Sequence, residues 1–352
     1  QNPYYKQGRQ VQIRLVPGIR STMLTRPYHI RVPGLLLLLL AIATVACTTP
    51  QYQDQAGERH KPVLTRDYAV MEDGYRLPLA SWLPDDRVEA VVLALHGFND
   101  YKNAFSDVGK YLSCHGIATY AYDQRGFGGT VQAGVWPGSG RLRQDGLAMT
   151  RLLRKRYPDI PLYLVGESMG GAVVIRMMTG TPPPPADGVI LLAPAVWGRD
   201  TMNPFYRGAL WIAAHTFPAK TATGKGLDIK PSDNIEMLRA LGQDPLVIKE
   251  TRFDALYGLT SLMGEALEGV PQLGSRTLIL YGERDEIIPD KATCRMLAYL
   301  PEQAPGVQRA VIYPDGYHML TRDLQAPVVL ADINAWIVSP DSEIPVSYTH
   351  LR

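Results

Sequence analysis

The chain has 352 residues, 46% hydrophobic and 20% charged, a composition that excludes a disordered protein and suits one large α/β domain with an insertion. Lys and Arg number 36 against 34 for Asp and Glu, which gives a net charge of +2. Because nucleic-acid binding requires an excess of basic residues, nucleic acid is not an expected partner.

An apolar run near the N-terminus is typical of an export signal. In VPGLLLLLLAIATVACTTP, roughly a dozen apolar residues follow the basic residues Arg26 and Arg31, a length too short to cross a membrane and usual for a signal peptide. We therefore predict that residues 23–47 direct export. Residues 1–22 precede Met23, where such a signal would start, and we expect them to be upstream sequence that is not native.

The end of this run, TVAC, resembles the lipobox of bacterial lipoproteins, whose cysteine is lipidated and becomes the N-terminus. Thr44 stands where that motif usually has leucine. The resemblance implies lipidation of Cys47 and an exported protein anchored to a bacterial membrane on its periplasmic side. The alternative is a plain signal with an incidental cysteine, which would give a periplasmic or secreted protein.

Strand and helix patterns alternate along most of the remaining chain. RDYAVMEDGYRLPLASWLP has two alternating apolar runs around Asp73 and Gly74, which predicts a β-hairpin at the start of the folded part, near Arg66. Short apolar runs that fit buried parallel strands follow at 90–95, 117–122, 162–165, 189–192, 277–281 and 307–313. The order predicts an α/β fold: a mostly parallel central sheet flanked by helices, with ligands at the carboxyl ends of its strands.

One interval is too long for an ordinary crossover between strands. Roughly eighty residues separate Ala193 from Thr277, where a crossover needs only ~12. We predict a helical cap here, and the helix-period segments 203–217 and 251–270 carry Trp, Phe, Leu and Met on their faces. Most of these side chains are expected to pack the cap onto the core, and some to face the cleft.

The predicted organisation divides the chain at these features. After the signal comes a polar linker, and the C-terminal segment, which contains VSYTHL, is expected to be a non-native tail. The predicted segments are the upstream residues 1–22, the signal 23–47, the linker 48–65, the first part of the core 66–195, the cap 196–272, the second part of the core 273–338 and the tail 339–352.

A serine between a predicted strand and a helical pattern carries the strongest functional signal. In LYLVGESMGGAVVIRMM, Ser168 has Gly166 two residues before it and Gly170 two residues after it. This spacing matches a nucleophile elbow, a tight strained turn that exposes the serine Oγ at the edge of the sheet. The backbone N–H of Met169, at the start of the helix, is then a predicted oxyanion donor. The GxSxG string alone is weakly specific, and its strand-to-helix context makes it a strong signal.

A serine hydroxyl needs a base, and in this architecture the acid and the histidine follow the serine in that order. Of the seven histidines, only three follow Ser168. His215 lies inside the predicted cap and His350 lies in the predicted tail, which leaves His318 in YPDGYHML as the predicted base.

The acid is expected after the strand that precedes this histidine. LILYGERDEIIPD offers four carboxylates, and we predict Asp285, which lies three residues after Gly282 in a loop where a short side chain can reach the histidine Nδ1. Glu283 and Glu286 are expected to be solvated.

The loop of VVLALHGFND is expected to supply the second oxyanion donor, the N–H of Phe98, with Gly97 permitting close backbone approach. His96 precedes the serine and is expected to anchor this loop and not to act as the base. In DQRGFGGT, Asp123 and Arg125 are expected to form a structural turn.

The sequence offers little metal or disulfide chemistry. Cys114 and Cys294 are expected to be separate buried thiols, with a disulfide between them as the open alternative. Histidines and cysteines do not cluster at metal-ligand spacing, so no metal site is predicted.

Five motifs, in this order, resemble a known family: LHGFND, DQRGFGGT, VGESMGG, YGERDEIIP and YPDGYHML. They are similar to the α/β-hydrolase superfamily, in the branch of monoacylglycerol lipases and lysophospholipases with a serine aminopeptidase S33-type domain, over about residues 66–338. The resemblance implies an α/β-hydrolase fold with a helical cap over an acyl-binding cleft. It also implies attack of Ser168 on a carboxylic ester, deacylation by water activated at His318, and no cofactor.

Two of these motifs differ from the monoacylglycerol lipases. Where those enzymes read HGxGEH, this chain has Asn99, Asp100 and Tyr101 in the last three places, and where they read DHRGHG it has Gln124 and Phe127. The leading hypothesis is an exported serine esterase for monoacylglycerols or lysophospholipids. A serine peptidase, an amidase or a general carboxylesterase on the same fold is the alternative, and a non-catalytic lipid-binding lipoprotein is the third.

Overall fold

The computed structural model describes residues 49–53, 59–198, 202–303 and 307–339. The predicted export signal with Cys47, the upstream segment and residues 340–352 of the predicted tail lie outside the described residues. Within the described ranges, no helix combines the length and the apolar character needed to cross a membrane.

A nine-stranded sheet forms the centre of the fold. Its strands are β1 Val63–Leu64, β2 Tyr68–Val70, β3 Arg76–Trp82, β4 Ala90–Leu95, β5 Ile117–Tyr122, β6 Leu162–Glu167, β7 Gly188–Leu192, β10 Thr277–Gly282 and β11 Gln308–Tyr313. They lie in the order β1-β2-β3-β5-β4-β6-β7-β10-β11. The pairs from β5 to β11 are parallel, and β1, β2 and β3 pair antiparallel, with β3 against β5.

The predicted apolar runs form the parallel strands because both faces of the sheet are covered. In β4 every side chain is buried, and alternate residues enter opposite cores: Val91 and Leu93 pack on one face, and Val92 and Ala94 on the other. The largest difference from the predicted bounds is at β6, which continues to Glu167. The predicted α/β class with a mostly parallel sheet is confirmed.

Helices cover both faces of this sheet. The α-helices of the described residues are α1 Ser106–Ser113, α2 Ser139–Arg156, α3 Met169–Met178, α4 Pro204–Thr216, α5 Ile235–Gln243, α6 Phe253–Gly269, α7 Asp290–Tyr299 and α8 Ala326–Val338. Helices α1 and α8 bury side chains on one face, and α2, α3, α6 and α7 bury theirs on the other. The predicted site residues Phe98, Ser168, Asp285 and His318 follow the carboxyl ends of β4, β6, β10 and β11.

Residues before the predicted start at Arg66 also belong to the fold. Strand β1, Val63–Leu64, pairs with β2, and the backbone N–H of Gln53 donates to the carbonyl oxygen of Trp136 at 3.2 Å. Part of the predicted linker 48–65 therefore belongs to the fold. The sequence does not reveal this part of the fold, because Gln53 is held by backbone and side-chain amide hydrogen bonds, which leave no apolar pattern.

The insertion after β7 combines helices with a small sheet. Strands β8, Thr221–Thr223, and β9, Glu250–Arg252, form an antiparallel ribbon. Helix α6 packs against α3 and buries Leu262, Met263 and Ala266 in the main core. This helix therefore belongs to the layer that covers the sheet, and the expected packing of the insertion on the core is confirmed for α6.

Helix α4 behaves differently from that expectation. Ala214 is its one buried residue, and Phe205 is 77% exposed. Tyr206, Trp211 and Ile212 are also exposed. The expectation that the large side chains of this segment pack onto the core is wrong for α4, because its apolar residues lie around most of the helix and only a narrow strip can contact the fold.

The two cysteines in the described part of the chain are separate free thiols, and both are exposed. The expected separation of Cys114 and Cys294 is confirmed, and the expected burial is wrong. Cys114 caps the C-terminus of α1, and Cys294 lies on the solvent side of α7.

Candidate active site

Ser168 occupies a strained turn between β6 and α3. Its φ of 51° and ψ of −113° lie outside the backbone φ/ψ regions that residues with a side chain normally adopt. The turn is held by backbone hydrogen bonds: the Ser168 N–H donates to Leu192 at 2.9 Å, and the Ser168 carbonyl accepts from Ala172 at 3.1 Å and Ala195 at 2.9 Å. The structure therefore places the serine in the kind of turn that the GxSxG spacing predicts.

The two glycines of this turn are required by close backbone approach. A Cβ added to Gly166 would lie 2.6 Å from the Gly170 carbonyl oxygen, and one added to Gly170 would overlap the Leu95 carbonyl. A Cβ on Gly97 would lie 3.5 Å from the Ser168 Cβ, so the loop after β4 passes directly beside the serine. Phe98 follows Gly97 on this loop, and Met169 is the first residue of α3.

The predicted acid and base are hydrogen-bonded. His318 Nδ1 lies 2.8 Å from Asp285 Oδ2, and both residues are buried. Asp285 Oδ1 accepts hydrogen bonds from the backbone N–H groups of Ile287 at 2.7 Å and Ile288 at 3.0 Å. This carboxylate can only accept, so we assign the proton to His318 Nδ1, which leaves the Nε2 lone pair available as a base.

The loops that carry these two residues meet because β10 and β11 are parallel neighbours and end at one edge of the sheet. The backbone N–H of Arg284 donates to the carbonyl oxygen of Gly316 at 2.9 Å. A Cβ on Gly282 would lie 2.5 Å from the Tyr317 carbonyl oxygen, so only glycine allows this approach. Glu283 and Glu286 are exposed, as predicted.

Ser168, His318 and Phe98 line one cavity of about 410 Å³. Its other walls are largely apolar, formed by Trp197, Met202, Leu210, Leu256, Leu259, Met263, Ile287 and Ile288. Asp285 lies behind His318, outside the lining. A larger cavity of about 630 Å³ is lined by charged groups that include Arg59, Arg141 and Asp145, and none of the predicted site residues belongs to its lining.

The site thus combines a serine in a strained turn, a histidine hydrogen-bonded to a buried carboxylate, and an apolar cavity that the serine and the histidine line. These features agree with the family whose sequence model the chain matches. Residues 86–325 match the model of serine aminopeptidase, S33. The chain belongs to this family. The S33 match includes the parallel strands β4 to β11 and the insertion, and it excludes β1, β2, β3 and α8.

Similar proteins support the same assignment within the S33 family. The chain is 26% identical over 283 residues to the monoacylglycerol lipase of Mycolicibacterium smegmatis, a match that covers 76% of this chain and 94% of that protein. It is 25% identical over 281 residues to the monoglyceride lipase of Mus musculus, covering 77% of this chain and 89% of the relative.

A soluble variant of the monoglyceride lipase from Saccharomyces cerevisiae, solved with a substrate analogue, has the same fold. The TM-score is 0.65 at 20% identity, over 83% of this chain and 99% of that one. The predicted α/β-hydrolase fold is confirmed, and the relatives support the predicted class of enzyme, a hydrolase that acts on esters.

In this S33-family site, His96 anchors the loop beside the serine, as predicted. Its Nδ1 lies 2.7 Å from the Gly97 carbonyl oxygen, and its Nε2 accepts from the Gln124 N–H at 2.9 Å. Burial lowers the pKa of His96 and outweighs the Gly97 hydrogen bond and the nearby carboxylates, which raise it. The ring therefore stays neutral, with both nitrogens used to hold two loops together.

Replacing His96 with glutamine is expected to give a pH-dependent loss of stability. Because folding lowers the pKa of His96 below 6.5, its contribution is complete above that pH and is lost as the pH falls. Urea unfolding at about pH 8 should show the variant less stable by about 1–3 kcal/mol, with a smaller difference at about pH 5.5. His115→Gln, at an exposed histidine, is the control. An equal difference at both pH values would contradict this account of His96.

Sequence reasoning missed Arg322, which joins two motifs of the site. Its Nη1 donates to Asp100 Oδ2 at 2.7 Å, and its Nη2 donates to both oxygens of Glu167 at 2.9 and 3.0 Å. Burial lowers the pKa of the guanidinium, but Glu167 and Asp100 outweigh it and raise the pKa overall. No local pattern could have revealed this network, because Arg322 lies 222 residues from Asp100 and 155 residues from Glu167.

The residues that differ from the monoacylglycerol lipase pattern attach the loop after β4 to the insertion. Asn99, at a φ of 64°, donates through Nδ2 to Thr251 Oγ1 at 2.6 Å, and its carbonyl oxygen accepts from Ile248 N–H at 2.9 Å. The hydroxyl of Tyr101 donates to Asp244 Oδ2 at 2.6 Å. The position of this loop therefore depends on the insertion.

The turn of DQRGFGGT is structural, as predicted. Asp123 Oδ2 accepts from the Gly129 N–H at 2.8 Å. Arg125 donates to Asp145 at 2.9 Å and to Asp73 at 2.7 Å, and its side chain is buried. Neither Asp123 nor Arg125 lines the cavity that holds Ser168.

Proposed function

We propose that this protein hydrolyses carboxylic esters of single-chain acyl lipids, monoacylglycerols or lysophospholipids, with Ser168 as nucleophile, His318 as base and Asp285 as orienting acid. The apolar cavity of about 410 Å³ that Ser168 and His318 line carries this proposal. An acyl chain gains about 0.8 kcal/mol for each methylene that leaves water, so aliphatic walls favour such a substrate. The monoacylglycerol and monoglyceride lipases among the similar proteins support the same class.

The first half of the reaction forms an acyl-enzyme. His318 Nε2 takes the Ser168 proton as Oγ attacks the ester carbonyl carbon, and the N–H groups of Phe98 and Met169 stabilise the resulting oxyanion. The imidazolium, held by Asp285, then protonates the leaving alkoxide as the carbon–oxygen bond breaks. The alcohol leaves and the acyl group remains on Ser168.

The second half reverses these roles with water as the nucleophile. His318 Nε2 takes a proton from a water molecule as its oxygen attacks the acyl carbon, and the same two N–H groups stabilise the second oxyanion. Collapse of this intermediate breaks the bond to Ser168 Oγ, which receives the proton back from His318. The fatty acid is released and the enzyme returns to its starting state.

The charges of the cavity favour an ester over a substrate recognised through a free amine. An ammonium group needs a carboxylate that has no other cation. Asp100 and Glu167 line the cavity, but both are bound by Arg322. The carboxylates of Asp228, Asp233 and Glu236 do not belong to the lining.

The proposal is tested by measuring product release from monoacylglycerols, lysophospholipids and aminoacyl amides side by side, with Ser168→Ala as the control. We expect fatty-acid release from the single-chain esters and none in the variant. Turnover of the amides alone would support the same catalytic residues and show that the protein is a peptidase or an amidase. Turnover of short soluble esters alone would assign a general carboxylesterase, and no turnover with no labelling of Ser168 by a fluorophosphonate would indicate a non-catalytic lipid-binding protein.

Narrowing the cavity is expected to change the preferred chain length. Leu259→Trp places a larger side chain on the apolar wall, so kcat/KM for long-chain esters should fall on the order of 10- to 100-fold, as two or three methylenes lose their contacts. Short-chain esters should be affected much less. Leu227→Trp, at an exposed position of the insertion, is the control and should match the wild type. An equal loss for short and long chains would show that the cavity does not hold the acyl chain.

We also propose that the protein is exported and anchored to a bacterial membrane through Cys47. The signal-like segment 23–47 supports export, and the exposed apolar side chains of α4 are compatible with a lipid surface nearby. Acyl-chain labelling of the expressed precursor should modify the wild-type protein and not Cys47→Ser. Label retained in the variant would rule out this anchor.

A further inference from the structure

One guanidinium connects the two loops that flank Ser168. Arg322 binds Asp100, two residues after Phe98, and Glu167, two residues before Met169. Each predicted oxyanion donor is therefore only two residues away from a carboxylate that Arg322 binds. Arg322 itself lies four residues after His318, and its backbone N–H donates to the carbonyl oxygen of Met319 at 2.7 Å, so the backbone connects this network to the histidine loop.

The side chains of this network are buried. The side chains of Arg322, Asp100 and Glu167 are only 9%, 9% and 3% exposed. Glu167 receives both of its hydrogen bonds from one nitrogen of the planar guanidinium, and Asp100 receives its bond from the other terminal nitrogen. A planar group with fixed donors sets both the separation and the orientation of its partners, which a single ammonium cannot do.

The loop after β4 needs such support. Asn99 lies in the left-handed region, with a φ of 64°, directly after Phe98. Hydrogen bonds to the insertion hold one side of this residue, at Thr251 and Ile248. The next residue, Asp100, is attached through Arg322 to Glu167 at the end of β6.

We propose that Arg322 is a positioning residue that fixes the loop of Phe98 against the nucleophile elbow, so that the N–H groups of Phe98 and Met169 point at one oxyanion. Catalysis by such donors depends on their being in place before charge develops, and small displacements reduce it strongly. This inference rests on the proposed function for its choice of substrate. The predicted loss of rate concerns the donors beside Ser168, so it applies to any reagent that Ser168 attacks.

Arg322→Lys is the informative variant because lysine keeps the positive charge between Asp100 and Glu167. It lacks the two terminal nitrogens with which the planar guanidinium binds both carboxylates at once. We expect kcat for ester hydrolysis to fall on the order of 10- to 100-fold with KM changed by less than about threefold. The second-order rate of Ser168 labelling by an alkyl fluorophosphonate should fall in parallel, since its pentacoordinate transition state uses the same donors. Arg322→Met, which leaves both carboxylates unpaired, should lose more, and thermal unfolding shows whether it remains folded.

The matched control is Arg154→Met. Arg154 pairs with Asp187, which precedes β7 at the amino ends of the strands, away from the cavity. It should leave kcat and the labelling rate unchanged well below its unfolding temperature. This control separates loss of an ion pair in general from loss of the one that joins the two loops.

Two results would overturn the proposal. A rise in KM with unchanged kcat and unchanged labelling would mean that Arg322 contacts the substrate, and wild-type values throughout in Arg322→Lys would mean that the network only stabilises the fold. The labelling measurement also separates this inference from the proposed function: a wild type that cleaves no lipid ester but is labelled faster than Arg322→Lys would refute the function and keep the positioning role.

Discussion

Ser168→Ala is expected to lower kcat for ester hydrolysis by roughly 10⁴- to 10⁶-fold, because it removes the hydroxyl that carries the acyl group in the proposed reaction. Substrate binding should persist, since the apolar walls are untouched. The change is measured by fatty-acid release under single-turnover conditions, with a binding assay on the same variant. Activity within about tenfold of the wild type would contradict the assignment of the nucleophile.

The same position carries a stability prediction that separates backbone strain from chemistry. Ser168 lies at a φ of 51° and a ψ of −113°, which glycine tolerates and alanine does not. Ser168→Gly should therefore be as inactive as Ser168→Ala and more stable than it by about 1 kcal/mol or more. Urea unfolding of the two variants makes this comparison, and a less stable glycine variant would show that the elbow stores no strain.

Asp285→Asn is expected to lower kcat by roughly 10⁴-fold through the histidine tautomer. Two backbone N–H groups, at Ile287 and Ile288, donate to Oδ1 and would hold the amide oxygen of an asparagine in that place. Its amide nitrogen would then face His318 and donate to Nδ1, which moves the imidazole proton to Nε2. A ring protonated at Nε2 cannot accept the Ser168 proton, so acylation stops while the fold is retained.

The measurement for this variant is kcat together with the unfolding midpoint. Glu283→Gln and Glu286→Gln remove neighbouring exposed carboxylates and should leave kcat within about twofold, because neither contacts His318. If Glu286→Gln were as damaging as Asp285→Asn, the acid would have been assigned to the wrong residue.

The central sheet and the nucleophile turn could be predicted because their signals are local. A short apolar run such as AVVLAL in β4, bounded by turn residues, is typical of a strand covered on both faces. The spacing of Gly166, Ser168 and Gly170 is a local pattern of the nucleophile turn. The chain order of Ser168, Asp285 and His318 then restricted the choice of acid and base, and the structure brings the last two within hydrogen-bond distance.

What could not be predicted depends on partners far away in the chain. Arg322 lies 222 residues from Asp100 and 155 from Glu167, and no local pattern connects these charges. The apolar side chains of α4 lie around most of the helix, and the local sequence does not show which of them contact the rest of the fold. Gln53 belongs to the fold through hydrogen bonds, which apolar patterning does not detect.

The positions that depart from the monoacylglycerol lipase pattern have a structural explanation. Asn99 and Tyr101 bind the insertion, and Asp100 binds Arg322. They hold the loop of Phe98, next to the serine and at the wall of the cavity. We therefore expect substitutions at these positions to change the rate of the chemical steps more than the preference for a head group.

The most direct test of the account is a search for the acyl-enzyme itself. The full-length protein is mixed with a monoacylglycerol, quenched in acid within the first turnovers and digested for mass spectrometry. We predict an adduct with the mass of the acyl group on the peptide that contains Ser168, and no adduct in Ser168→Ala. Hydrolysis without any adduct on Ser168, or an adduct on another residue, would contradict the proposed mechanism.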